Sequence, residues 1–218
     1  MMETIQGLDA VRKFVERNAE QGIETTGASV VSCSAGLYNV CGSTDDPPHV
    51  PGHENATWKG LLQAYKIDGQ CYVTNPGAEG THPQFLVGGH MTTDAKGVVA
   101  PKGSCYLMPL CKWHNSTSKD GILFDHTETA MLQLTGYMVG ELAVTFRLRM
   151  PNAAPYALLY YANGAWDYQD LSAGAAAEVK AGRLPATLPG EVNHYVLIER
   201  IRTDQTLHYI RTVHLPGV

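Results

Sequence analysis

Residues 192–214 read VNHYVLIERIRTDQTLHYIRTVH, and this stretch indicates the fold class most clearly. Two runs rich in β-branched and aromatic residues, 192–203 and 207–214, lie on either side of the polar pair Asp204-Gln205. Such runs joined by a short polar turn are typical of a β-hairpin. The sequence therefore predicts that the chain ends in two antiparallel strands.

The residues before this hairpin are also predicted to be mostly β. From 142 to 150, apolar residues alternate with polar ones, which is the pattern of a half-buried strand. Such a strand would place Arg147 and Arg149 on one face, either as a solvated surface or as a site for an anion. A second apolar run covers 156–161, and 175–181 is predicted as a short helix.

The first part of the chain is predicted to be helical and then irregular. Leu8, Val11, Phe14 and Val15 recur at spacings of three and four, which predicts an amphipathic helix over 6–20. A long loop follows at 36–54, and a short helix is predicted over 58–66. Together the patterns predict an α+β fold: an N-terminal helix, an irregular Gly/Pro-rich middle and a β-rich C-terminal half. Since no linker stands out, we expect one domain over 1–218.

The composition excludes several classes of protein. Apolar residues make up 44% of the 218 residues, which is too many for a disordered chain. The formal net charge of −5 provides no global basic surface that would attract nucleic acid. No apolar run is long enough to span a membrane and no signal peptide is recognisable, so we expect a cytoplasmic protein with no membrane partner. The odd number of cysteines, five, favours reduced thiols or metal ligands over a disulfide framework.

The middle of the chain carries the clearest chemical pattern. A strand-like run ends in Gly88-Gly89-His90, and a second strand-like run leads into Cys111-x-x-His114-Asn115. Two strands followed by a helix would form a ββα unit in which these side chains converge on one ion. Imidazole and amide oxygen suit a divalent metal. A histidine held beside that metal can deprotonate water for attack on a phosphodiester.

At these residues the sequence resembles the HNH family of ββα-metal nucleases, and more loosely the related treble-clef zinc-binding proteins. The resemblance covers residues 71–119, about a fifth of the chain. It implies a divalent-metal-dependent phosphodiester hydrolase with nucleic acid as its partner. His90 would be the general base, and Asn115 or His114 would hold or orient the metal. The chain has Gly89 where the family usually carries a metal-binding Asp or His.

A zinc site is a separate expectation from the same segment. Cys71, Cys105, Cys111 and His114, with His90 as an alternative, can provide a tetrahedral set of sulfur and nitrogen ligands. Zinc is the expected cofactor of such a set, and magnesium if the segment is a nuclease. The competing interpretation is that these cysteines are core residues, because cysteine is among the most buried residue types.

An alternative function is a non-enzymatic structural or interaction protein that forms homo-oligomers, such as a particle component or a binding module. The low charge and the turn-rich composition favour it. A dense aromatic group also favours it, since Tyr and Trp are enriched at interfaces. The group comprises Tyr156, Tyr160, Tyr161, Trp166 and Tyr168.

Overall fold

The computed structural model describes residues 2–19, 27–43, 57–74, 84–100, 103–127, 130–137, 143–190, 192–202 and 206–216. In chain order the elements are α1 (Met2–Ala19), β1 (Gly27–Ser32), β2 (Tyr38–Asn39), α2 (Trp58–Ala64), β3 (Val87–Thr92), β4 (Cys105–Leu110), the 3-10 helix Thr117–Lys119, β5 (Ala130–Thr135), α3 (Ala143–Leu148), β6 (Tyr156–Ala162), β7 (Ala165–Leu171), α4 (Ala173–Lys180), β8 (Tyr195–Arg202) and β9 (Thr206–His214). The strands form two antiparallel sheets, which confirms the predicted α+β class.

The chain forms two compact units. The terminal unit contains both ends of the chain and comprises Met1–Gly27, Leu142–Leu148 and Asn152–Val218. The central unit comprises Ala28–Glu141 and Arg149–Pro151. The single domain expected from the sequence stays a prediction, to be tested by the cooperativity of unfolding. Within the described ranges, no helix is long and apolar enough to cross a membrane.

The terminal unit is a four-stranded sheet in the order β7-β6-β8-β9, with a helix against each face. The β8–β9 pairing, from Tyr195↔His214 to Arg202↔Thr206, confirms the predicted hairpin. Because successive strand residues point to opposite faces, Leu159 packs with Phe14 of α1, whereas Leu158 packs with Val179 of α4. The helix predicted over 6–20 is therefore confirmed as the cover of one sheet face.

The aromatic group at 156–168 contributes to the packing of this unit. Trp166 lies 5.4 Å from the ring of Phe14, and Tyr161 and Tyr168 pack in the same cluster. Tyr156 and Tyr160 lie on the face covered by α4. Much of this aromatic surface is thus used inside the terminal unit, and the predicted homo-oligomer stays a prediction.

The strand predicted at 142–150 is wrong, because the structure forms α3 over Ala143–Leu148. Residues 146–149 are all buried, so burial here does not follow the two-residue period of a strand. Arg147 donates to the Tyr168 hydroxyl at 3.1 Å in the terminal unit. Arg149 is fully buried in the central unit, where its Nη1 donates to the Thr135 carbonyl at 2.9 Å. The two arginines therefore form neither a solvated sheet face nor a surface anion site.

The central unit is a five-stranded sheet in the order β1-β5-β4-β3-β2. Its β3–β4 hairpin pairs Val87 with Leu110 and Met91 with Tyr106. One face, hereafter the helix face, is covered by α2, and its His90 ring contacts the Trp58 ring at 4.6 Å. The other, the loop face, is covered by irregular segments that pack against Met91, Met108 and Leu110. After β4 the chain makes turns and a three-residue 3-10 helix rather than the α-helix expected in a ββα unit.

Candidate metal centre

Three of the four predicted metal ligands meet on the loop face of the central unit. The ligand atoms of Cys71, Cys111 and His114 all lie within 4.8 Å of one another, and all three side chains are buried. His114 Nδ1 lies 3.1 Å from Cys71 Sγ and 3.2 Å from Cys111 Sγ. Among the described residues, no other group of three or more His, Cys, Asp or Glu side chains is arranged in this way.

The turn after β4 sets the distance between Cys111 and His114. Cys111 immediately follows the last residue of the strand, and the chain then reverses through residues 112–115. The backbone N–H of His114 donates to Cys111 Sγ at 3.4 Å, and the N–H of Asn115 donates to the Cys111 carbonyl at 3.1 Å. This local turn explains why the Cys-x-x-His spacing is recognisable in the sequence.

Cys71 reaches the site through long-range backbone pairing. The segment that follows it forms an isolated bridge between Val73 and His126. The N–H of Thr74 donates to the Asp125 carbonyl at 2.8 Å, and the N–H of Thr127 donates to the Tyr72 carbonyl at 3.1 Å. These bonds hold two irregular segments together, one of which carries Cys71.

The surroundings of the three ligands are apolar. The ring of His114 makes edge contacts with Trp113 at 4.9 Å and with Phe124 at 5.4 Å between centroids. Burial raises the pKa of the Cys71 thiol, and the neighbouring Cys111 thiol raises it further. Hydrogen bonds from the backbone N–H groups of Val73 and Cys111 oppose this rise, because they stabilise the thiolate. Those amides are oriented to support a negatively charged sulfur.

This geometry suits an ion better than it suits hydrogen bonding. A neutral imidazole Nδ1 carries either one proton or one lone pair, so it cannot make a full hydrogen bond to two thiols at once. With bond lengths to zinc of about 2.3 Å for sulfur and about 2.0 Å for nitrogen, tetrahedral ligands lie about 3.5 Å apart. The observed sulfur–nitrogen distances of 3.1 and 3.2 Å are close to that value. The three side chains can therefore hold a metal ion.

The structure places Cys105 and His90 away from this group. Both lie on the helix face, because side chains alternate along β3 and β4 while Met108 and Leu110 pack on the loop face. His90 is 3% exposed, and burial, together with the charge of Arg149, lowers its pKa to about 3. It is therefore a neutral core side chain at physiological pH.

Asn115, the other predicted catalytic residue, is exposed at the end of the Cys111–His114 turn. Its Oδ1 is 2.9 Å from the position that a Cβ atom on Gly89 would occupy, so Gly89 leaves room for this side chain. Asn115 is thus separated from His90 by the sheet, since residues 89 and 90 face opposite sides.

One residue near the site was not predicted from the sequence. Asn39 of β2 donates from Nδ2 to the main-chain carbonyl of His114 at 2.9 Å. It lies within the stretch predicted as a long loop, and the two residues are 75 positions apart. No local pattern marks such a contact.

Comparisons with protein-family models, with curated proteins and with solved structures find no match for this chain.

Proposed function

We propose that the protein binds a zinc ion through Cys71, Cys111 and His114, and that the ion has a structural role. The observation that carries this proposal is the convergence of two thiols on one imidazole nitrogen in a buried site. Two segments distant in sequence supply the ligands, so a bound ion would cross-link them. The binding free energy of the ion would then contribute to folding.

The chemistry of the ligands favours zinc over magnesium. Magnesium requires oxygen ligands in octahedral geometry and usually keeps several water molecules. Thiolate and imidazole are softer ligands and suit zinc. The group of two sulfurs and one nitrogen therefore supports the zinc expectation derived from the sequence.

The burial of the ligands favours a structural ion. Cys71, Cys111 and His114 are 6%, 4% and 2% exposed, and they lie in an apolar cluster. The loop face around them is built from irregular segments joined by isolated bridges such as Leu37↔Phe124. A cross-link is most useful in such a region, because few regular hydrogen bonds order it.

In the hydrolase that the resemblance implies, His90 would be the base beside the ion, but His90 lies on the opposite face of the sheet with its pKa lowered. Three protein ligands leave the fourth tetrahedral position of zinc to water or to a further residue. The burial of the three ligands and the distance of His90 from them favour a structural role over hydrolysis. Hydrolysis of nucleic acid and assembly into homo-oligomers stay predictions from the sequence.

The test is elemental analysis of protein purified without chelator, using matched alanine variants. We expect a single zinc ion per chain in the parent and in Cys105→Ala, since Cys105 is a buried cysteine on the other face of the same sheet. We expect no zinc in Cys111→Ala or His114→Ala. A parent protein without zinc after incubation with the metal would refute the proposal. So would retention of zinc in both Cys111→Ala and His114→Ala.

A further inference from the structure

Asn39 lies beside the proposed metal centre and is not one of its three proposed ligands. It is the last residue of β2 and pairs with Met91, so both side chains lie on the loop face. Asn39 is 5% exposed, and Met91 belongs to the cluster that contains Cys71 and Cys111. The Asn39 amide is therefore buried in the same layer as the three ligands.

The hydrogen bond of Asn39 acts on the backbone of a ligand residue. Its Nδ2 donates to the His114 carbonyl at 2.9 Å, while the His114 N–H donates to Cys111 Sγ at 3.4 Å. The two peptide groups on either side of the His114 Cα atom are therefore each held by a hydrogen bond to another residue. Fixing both groups restricts the backbone dihedral angles of His114, and these set the direction of the Cα–Cβ bond from which the imidazole extends.

The other end of the Asn39 amide carries a cost for the fold. Asn39 Oδ1 is buried and accepts no hydrogen bond from any part of the chain that the structure describes. Leaving a buried polar atom unsatisfied costs more free energy than one neutral hydrogen bond normally contributes. An apolar side chain of similar shape would remove this unsatisfied oxygen but would also leave the His114 carbonyl without its Asn39 donor. Because these two effects are similar in size and opposite in sign, the metal-free fold should keep about the same stability.

We propose that Asn39 is a positioning residue of the metal centre, which holds His114 so that Nδ1 points between the two thiols. This inference rests on the proposed zinc binding. A ligand that is already oriented loses less conformational entropy when the ion binds, so Asn39 should increase the affinity for zinc. Outer partners of metal ligands typically contribute about 10–100-fold in affinity.

The experiment compares the parent with Asn39→Leu, Asn39→Asp and the control Thr117→Ala. Asn39→Leu removes the amide, and Asn39→Asp keeps its shape while replacing the donor with an acceptor. Thr117 is exposed and follows the turn that carries His114, so Thr117→Ala controls for a substitution near the turn. Three quantities are measured for each protein. Competition with a chromophoric chelator gives the zinc dissociation constant. The absorption spectrum is recorded with cobalt in place of zinc, and the free energy of unfolding is measured with excess chelator.

We expect both Asn39 variants to bind zinc about 10–100-fold more weakly than the parent and to show altered cobalt spectra. Thr117→Ala should bind zinc as the parent does, and the metal-free stability of Asn39→Leu should stay close to that of the parent. A zinc affinity equal to that of the parent in both Asn39 variants would overturn this inference and would leave the proposed zinc binding unaffected. Loss of the metal-free fold in Asn39→Leu would also overturn it, because Asn39 would then support the fold in general. A parent that binds no zinc would overturn both the proposed function and this inference.

Discussion

The buried imidazole of His90 predicts a specific dependence of stability on pH. Its ring lies 4.6 Å from the ring of Trp58 and 5.1 Å from that of Tyr137, and its Nε2 has no hydrogen-bond partner among the described residues. Burial and, to a smaller extent, the charge of Arg149 lower the pKa of His90 from 6.5 to about 3. The perturbation is acidification from about pH 7 to about pH 5, applied to the parent and to His90→Leu.

The sign and size of the effect follow from proton binding in the two states. Below pH 6.5 the unfolded chain binds a proton at this histidine, whereas the folded chain stays unprotonated until the pH approaches 3. The stabilising contribution of neutral His90 is therefore complete above pH 6.5 and is lost as the pH falls toward 3. A full difference of one proton changes the free energy of unfolding by about 1.4 kcal/mol per pH unit, which amounts to about 2 kcal/mol between about pH 7 and about pH 5.

The assay is denaturant unfolding at each pH, followed by tryptophan fluorescence. Excess chelator is present in all samples, so that proton release on metal binding does not contribute. We expect the parent to lose about 2 kcal/mol more than His90→Leu over this interval. Other histidines titrate equally in both proteins and cancel in the comparison. Equal pH dependence in the two proteins would show that His90 is not a buried neutral imidazole, and its role as a general base would regain support.

Three further predictions follow from the same structure. With free zinc at about a hundred times its dissociation constant, the free energy of unfolding of the parent should be about 2.7 kcal/mol higher than in chelator. The Cys111→Ala variant should show no such difference, and calorimetry with and without zinc measures the change in each protein. Arg149→Met should lower the free energy of unfolding by about 1–3 kcal/mol in denaturant titrations, because the partly buried Thr135 carbonyl loses its charged donor. Trp58 lies in the central unit and Trp166 in the terminal unit. If the chain is one cooperative domain, variants that retain only one of these tryptophans should unfold with coincident fluorescence transitions. Separate midpoints would show that the two units unfold independently.

The parts of the fold that could be predicted from the sequence are those with local periodicity. The spacing of apolar residues predicts α1, and the two runs around Asp204-Gln205 predict the β8–β9 hairpin. Both succeed because an element with one buried face repeats its apolar residues at the period of its own backbone. The strand predicted at 142–150 is wrong because Arg147 and Arg149 are buried. The hydropathy pattern of this segment therefore does not report which positions face the core.

At the candidate metal centre, the sequence by itself determined one pair of candidate ligands. Cys111 and His114 belong to a single turn whose hydrogen bonds are local, so their spacing is a reliable signal. Cys71 and Asn39 lie 43 and 75 positions from His114, and only strand pairing and loop packing bring them to it. The tertiary structure also excluded Cys105 and His90 from the group. Alternation along a strand sends neighbouring side chains to opposite faces, and which face meets the loops depends on the contacts of the folded sheet.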